Sequence, residues 1–205
     1  MVEPIPEPLM TWRFFRTYAV RIVIGAVLVA SASIAVFSWV PYQREQRIAR
    51  KIEAFDGTVV WQYNGPKWIP KAVHDRLRLW HRIESVGLRE FVSDMHGNYD
   101  GETTIKTVPL DLLGDIGTLA CLKVLFAKHT DVDDDGLKHL SELTALEDLD
   151  LEGTRITDRG LEHLKSMQNL KYLILVGTGV SENGKESLQM VLPDCDIRLE
   201  PFFLL

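Results

Sequence analysis

The sequence predicts an α/β solenoid, in which short parallel strands alternate with short helices behind a small α/β N-terminal cap and one N-terminal transmembrane helix. Three observations predict it. Residues 122–196 repeat with a period of 24, so that Leu122, Leu146 and Leu170 open successive units. Each unit begins L-x-x-L-x-L and runs on into a turn and a helix start. Residues 22–42 contain no charged side chain. A fixed period of this size marks units too small to bury their own apolar faces, which must therefore stack on one another.

In chain order, residues 1–17 begin with Pro4, Pro6 and Pro8 at alternate positions, the composition of a short disordered tail. Residues 18–42 are expected to be a signal-anchor. A helix from Ile22 to Tyr42 measures about 31 Å, close to the thickness of a bilayer's hydrocarbon core. Tyr18 at one end and Trp39 and Tyr42 at the other suit interfacial anchoring. Arg13, Arg16 and Arg21 precede the run, while Arg44, Arg47, Arg50 and Lys51 follow it, so charge leaves the orientation ambiguous. Position near the N-terminus predicts an extracytoplasmic repeat domain. The small-x-small triplet Ala30-Ser31-Ala32 offers a signal-peptidase site as the alternative. Cleavage at Ala32 would leave the apolar Ile34–Phe37 at a mature N-terminus, which favours the anchor.

Residues 43–95 are expected to form a helix–strand–helix cap. Ile48, Ile52 and Phe55 have helical spacing, Asp56-Gly57 stops the helix, and Thr58–Tyr63 is a β-type run. A second helix is expected over residues 71–83, carrying Leu77, Leu79, Trp80 and Ile83. The repeats are expected over residues 96–200. In the middle unit the alternation around Leu149 and Leu151 predicts a strand with one side in the core. Gly153–Ile156 turns the chain, and Thr157 or Asp158 is placed to cap a helix carrying Leu161, Leu164 and Met167. The last unit departs from this pattern, with Lys185 at a core leucine position. Upstream, Val108, Leu113, Ile116 and Leu119 stand 24 before Val132, Leu137, Leu140 and Leu143, a degenerate unit whose strand is expected to be lost in or displaced by the polar stretch 96–104. Residues 201–205 form an apolar tail.

The units, as Leu146–Leu164 shows them, resemble the leucine-rich repeat family in its subtype L-x-x-L-x-L-x-x-T-x-I-T-D-x-G-L-x-x-L. About half the chain carries the resemblance. An apolar helix, a Gly-bounded strand with a Trp/Tyr pair and degenerate repeats are together similar in layout to small membrane-anchored leucine-rich repeat proteins of planctomycete-type bacteria. That likeness implies a surface or periplasmic interaction protein of the bacterial envelope, without established chemistry.

Charge narrows the partners. Residues 104–205 carry ten Lys/Arg against eighteen Asp/Glu, so a phosphate backbone is repelled and nucleic acid is not an expected partner. Cys121 and Cys195 are three repeats and two residues apart. Strand spacing then separates them by roughly 15 Å, too far for a disulfide, and two reduced thiols are expected.

Asp131–Gly136 followed by Glu142 satisfies a calcium-loop pattern. The repeat register already explains Val132 and Gly136, however, and helix starts favour acidic residues. His139 and His163 stack in register, but Ser187 follows them, so no third metal ligand is supplied. No nucleophile–base spacing appears. Neither cofactor nor metal is expected, and no enzyme. The strand positions facing away from the core are Val124, Phe126 and Lys128; Asp148, Asp150 and Glu152; and Tyr172, Ile174 and Val176. An acidic strip between two apolar-aromatic ones suits a protein or peptide partner, unless residues 201–205 cover Tyr172, Ile174 and Val176. The expected function is therefore a non-catalytic, membrane-anchored protein-interaction module. The alternatives are a structural envelope scaffold and a metal-dependent hydrolase built from cap histidines and repeat carboxylates.

Overall fold

The computed structural model describes residues 9–67, 69–76, 80–88 and 105–200. The chain divides into two compact units, residues 1–41 and 42–205. Helix α1, Leu9–Ala54, runs through the division, with Pro41 inside it. In the first unit the apolar side chains of Val20, Ile22, Val23, Ile24, Val27, Leu28 and Val29 are all more than half exposed. Among the described residues no helix is long and apolar enough to cross a membrane. Side chains of residues 30–32 and 34–38, within the expected span, lie outside the described ones.

The second unit is a mixed α/β fold built on one six-stranded sheet in the order β1-β2-β3-β4-β5-β6. Strand β1 is Thr58–Tyr63 and β2 is His81–Gly87, and they pair antiparallel. The rest are parallel: β3 Val124–Phe126, β4 Asp148–Asp150, β5 Tyr172–Ile174 and β6 Asp196–Arg198. Leu125 pairs with Leu149, Leu149 with Leu173 and Leu173 with Ile197, each step being one repeat. Helical segments return the chain behind the sheet: α2 Leu110–Ile116, α3 Asp134–Leu140, a 3-10 helix Gly160–Leu164 and α4 Glu182–Gln189.

The recurring polar residues bond one unit to the next. Thr130, Thr154 and Thr178 each donate a 2.6 Å hydrogen bond to the carbonyl three residues back, closing the turn after each strand. Asp134 accepts from the Thr157 backbone N–H at 2.8 Å and from its hydroxyl at 2.7 Å. Asp158 accepts from Ser181 in the same way, at 2.8 and 2.7 Å. These bonds explain two glycines of the column, Gly160 and Gly184. A Cβ on Gly160 would lie 2.3 Å from Asp134 Oδ1, and one on Gly184 2.1 Å from Asp158 Oδ1. The expected role of Asp158 as a cap of its own helix is thereby corrected, because it serves the following unit. Thr157 does accept locally, from the Arg159 N–H at 3.3 Å.

The cap differs from expectation in one respect. Residues 71–76 form a 3-10 helix and His81–Gly87 a strand, so no helix runs over residues 71–83. Leu77 and Leu79 lie outside the described residues, and Ile83 enters the core from β2. Strand β2 takes the place of the degenerate unit's strand. Its Val86 pairs with Leu125 across an interval longer than the repeat, while Lys106 still bridges to Thr130 in the ordinary repeat register. The surplus chain therefore falls between β2 and Lys106. It includes the whole stretch 96–104, which lies outside the described residues.

Residues 42–54 of α1 close this end of the core, burying Ile48, Ala49 and Ile52. The helix stops in a Schellman turn, with Gly57 N–H on Ile52 O, Asp56 N–H on Glu53 O and Asp56 at φ 56°. The Lys106 ammonium completes the stop: it donates to Phe55 O and lies 4.0 Å from the Phe55 ring centroid. Glu45 fills a gap in the ladder. The β1–β2 register slips between Val60 and Trp61, and Ile83 N–H donates to Glu45 Oε2 at 2.9 Å instead. Arg82 stands 3.6 Å from the other carboxylate oxygen.

Burial pushes the Glu45 carboxyl above its ordinary 4.5, against the opposing pull of the Ile83 bond and of Arg82 and Arg44. The folded chain thus holds this proton more tightly than the unfolded one, so this group's contribution to stability falls as pH rises from 4.5 through the raised value. Glu45→Gln keeps an acceptor for Ile83 and removes the titration. The stability of this variant relative to the parent is expected to rise between pH 4.5 and about 7, read by denaturant unfolding. A difference that stays flat with pH would contradict the assignment.

Candidate functional site

The parallel register sorts the strand residues by face. Val86, Leu125, Leu149, Leu173 and Ile197 point into the core and are at most 4% exposed. Their neighbours point the other way. Ser85, Val124, Asp148, Tyr172 and Asp196 form one row, and Gly87, Phe126, Asp150, Ile174 and Arg198 the next. Six of the sequence-derived residues (Val124, Phe126, Asp148, Asp150, Tyr172, Ile174) therefore share the outward face. Lys128, Glu152 and Val176 follow two positions beyond the strands, where the ladder continues through His129 N–H to Glu152 O and Gly153 N–H to Val176 O. Strand β1 extends the face at its other end, with Val60 beside Ser85.

Apolar and acidic character are unevenly displayed on this face. Tyr172 is 52% exposed and Phe126 37%, whereas Asp150 is only 7% exposed. Asp150 Oδ1 accepts from the Glu152 N–H at 2.9 Å. Burial, the largest influence, raises its carboxyl above the usual range, while the Glu152 N–H and Lys128 pull it down. Glu152 is held by Lys128 at 2.6 Å and faces His129 Nε2 at 3.6 Å. Two of the three carboxylates are thus engaged within the molecule. Asp148 is half-buried, and burial together with the neighbouring Glu147 raises its carboxyl. Along the edge where the strands begin, Lys123 pairs with Glu84 at 2.9 Å and Lys171 with Glu147. That rim is alternately charged and self-neutralising.

Three contributors were not anticipated from the sequence. Asp196 and Arg198 add a fourth column, and they pair with each other. The signal was present, since Ile197 stands 24 after Leu173, but Asp194 occupies the leading leucine position. His129 occupies the turn column of Gly153 and Gly177 and shares their left-handed backbone, at φ 53° against 65° and 68°. Its ring covers Gly153, where a Cβ would lie 2.4 Å from His129 Nδ1.

The acidic turn, Asp131–Asp135, is used structurally. Asp131 accepts from Val108 N–H at 2.7 Å, Asp133 caps α3 through Gly136 N–H at 2.9 Å, and Asp134 holds Thr157. These carboxylates point to three different partners. Among the described residues no three His, Cys, Asp or Glu side chains are grouped to hold a metal ion. Cys121 and Cys195 are both free, and burial raises the Cys195 thiol to about 11.

No protein-family model matches the sequence, and no curated protein matches it. Among solved structures, a leucine-rich repeat protein of Leptospira interrogans is similar at 22% identity, over 47% of this chain and 23% of that one, with a TM-score of 0.37. The chain thus spans under a quarter of that protein's length. The repeat architecture described above rests on this chain's own 24-residue register.

Lys128→Met tests the internal neutralisation. It strips the half-buried Glu152 of its closest cation and is expected to cost about 1–3 kcal/mol in denaturant unfolding. Lys128→Met combined with Glu152→Leu is expected to recover more than half of that loss. Additive losses in the double variant would show that the two side chains do not act as a pair.

Proposed function

We propose that this chain is a leucine-rich-repeat-type protein-interaction module, carried on its N-terminal helix and presenting the outward face of the sheet to a protein or peptide partner. One observation carries the reading. Tyr172, 52% exposed on β5, a strand paired on both sides, lies in register between Asp148 and Asp196. With Asp196 taken up by Arg198, an aromatic ring beside the Asp148 carboxylate suits a partner segment with both apolar and basic side chains, through ring contact, cation–π attraction and charge. The self-neutralised rim around it adds little net field, so specificity falls to the central residues. Binding is the reading that the face supports best.

Membrane attachment through residues 22–42, with the repeats on the extracytoplasmic side, belongs to this proposal. The uncharged run and the more than half exposed apolar side chains of residues 20–29 support it.

Tags at both ends and external protease on intact cells test the placement. A protected N-terminal tag with a digested C-terminal domain is expected, and the reverse would move the repeats to the cytosol. For the face, Tyr172→Ala with Asp148→Lys is expected to weaken a partner co-purified from native membranes by at least about tenfold. A control at Met190, 80% exposed elsewhere on the surface, is expected to leave it unchanged. Equal binding by both variants would remove this face from the account.

A further inference from the structure

The sheet has two ends, and they are built differently. A terminal strand leaves a row of backbone N–H and C=O groups unpaired, which proteins normally guard with short strands or charges. Strand β6 is guarded in both ways: it has three residues, two of them the charged Asp196 and Arg198. Strand β1 is not. It has six residues, Thr-Val-Val-Trp-Gln-Tyr, with no charge, proline or glycine. Among the described residues it pairs with β2 alone. Its outward side chain Val60 is 54% exposed, while Val59 and Trp61 turn toward the core and pack against it.

We infer that β1 is a self-pairing edge, at which two copies of this chain join by antiparallel β1–β1 addition about a two-fold axis through Val60. The occupant follows from the strand's own chemistry. In that register Val60 meets its own copy, Val59 faces Trp61 and Thr58 faces Gln62. Each pair lies on one face of the joined sheet and matches apolar with apolar or polar with polar. No like charges oppose, because the strand carries none. A register centred on Trp61 would instead set Val60 against the Gln62 amide. The two-fold closes on itself, so the product is a dimer and not a fibre. A pair of six-residue strands is small beside a standard interface of roughly 1,600 Å². The dimer is therefore weak and dependent on concentration. This inference does not rest on the sheet-face reading, because Asp148 and Tyr172 lie three and four strands away from β1.

The test uses the full chain in density-matched detergent, by sedimentation across about 1–200 µM. The expected result is a concentration-dependent shift from 23.3 kDa toward twice that mass. Val60→Lys places two ammonium groups at the axis and is expected to move the midpoint up by at least about tenfold, with an unchanged far-UV circular dichroism spectrum. A second variant keeps the proposal testable if that one misfolds. Val60→Cys, in a Cys121→Ser background, is expected to form an intermolecular disulfide at least about tenfold faster than Glu162→Cys, whose side chain is 65% exposed away from the edge. A parent protein that stays monomeric throughout would overturn the inference. So would Val60→Lys associating like the parent, which would place the contact elsewhere, for instance on the N-terminal helix. Equal cross-linking at Val60 and Glu162 would do the same.

Discussion

The structure of residues 42–205 depends on one constraint: a single repeat unit cannot cover its own leucines. Each of β3 to β6 is three residues long, too short to persist alone. Its single inward side chain is buried only because the next unit's equivalent lies beside it. The row Val86, Leu125, Leu149, Leu173 and Ile197 is the product. The same logic governs the polar residues. Asp134 and Asp158 bond forward, one unit on, so a turn's geometry is completed by its neighbour. Stability in such a stack is shared between adjacent units, and the ends bear the deficit.

The two ends meet that deficit unequally. Residues 42–54 cover the first with Ile48, Ala49 and Ile52, tied down by Glu45 at the slipped ladder, by Lys51 against Asp111 and Asp115, and by Lys106 at the helix stop. The last unit is thinner. Lys185 stands where Leu137 and Leu161 are buried, and Leu188 is the one fully buried residue of α4. That helix leaves a shallow cleft of about 240 Å³ against the preceding unit, between Leu161 and Leu188. The leucine row lies between this cleft and the outward face of the sheet.

The repeats were legible because their information is periodic and local. Leu149, Thr154, Ile156 and Gly160 each repeat at 24, and each has a physical reason to do so. The place of β2 was not legible, since the interval between Val86 and its partner Leu125 exceeds the repeat and no period survives it. Residues 71–83 were misread because Trp80 and Ile83 have the spacing of a helix as well as the composition of a strand. On the outward face, positions followed from alternation alone, but electrostatics did not. Asp148, Asp150 and Glu152 look alike in sequence, yet Lys128 reaches one, burial encloses another and the third stays half-buried beside Glu147. Which carboxylate a lysine of the preceding unit will choose is a property of packing, not of spacing.

The shared core is tested most directly by Leu149→Ala, followed by native-state hydrogen exchange at the amides of residues 125, 149 and 173. Truncating this fully buried side chain is expected to cost about 2–5 kcal/mol. If adjacent units bury one another's leucines, protection at residues 125 and 173 falls together with that at 149, by a comparable factor. Loss confined to residue 149, with both neighbours unchanged, would mean that each unit holds itself, and would contradict the account.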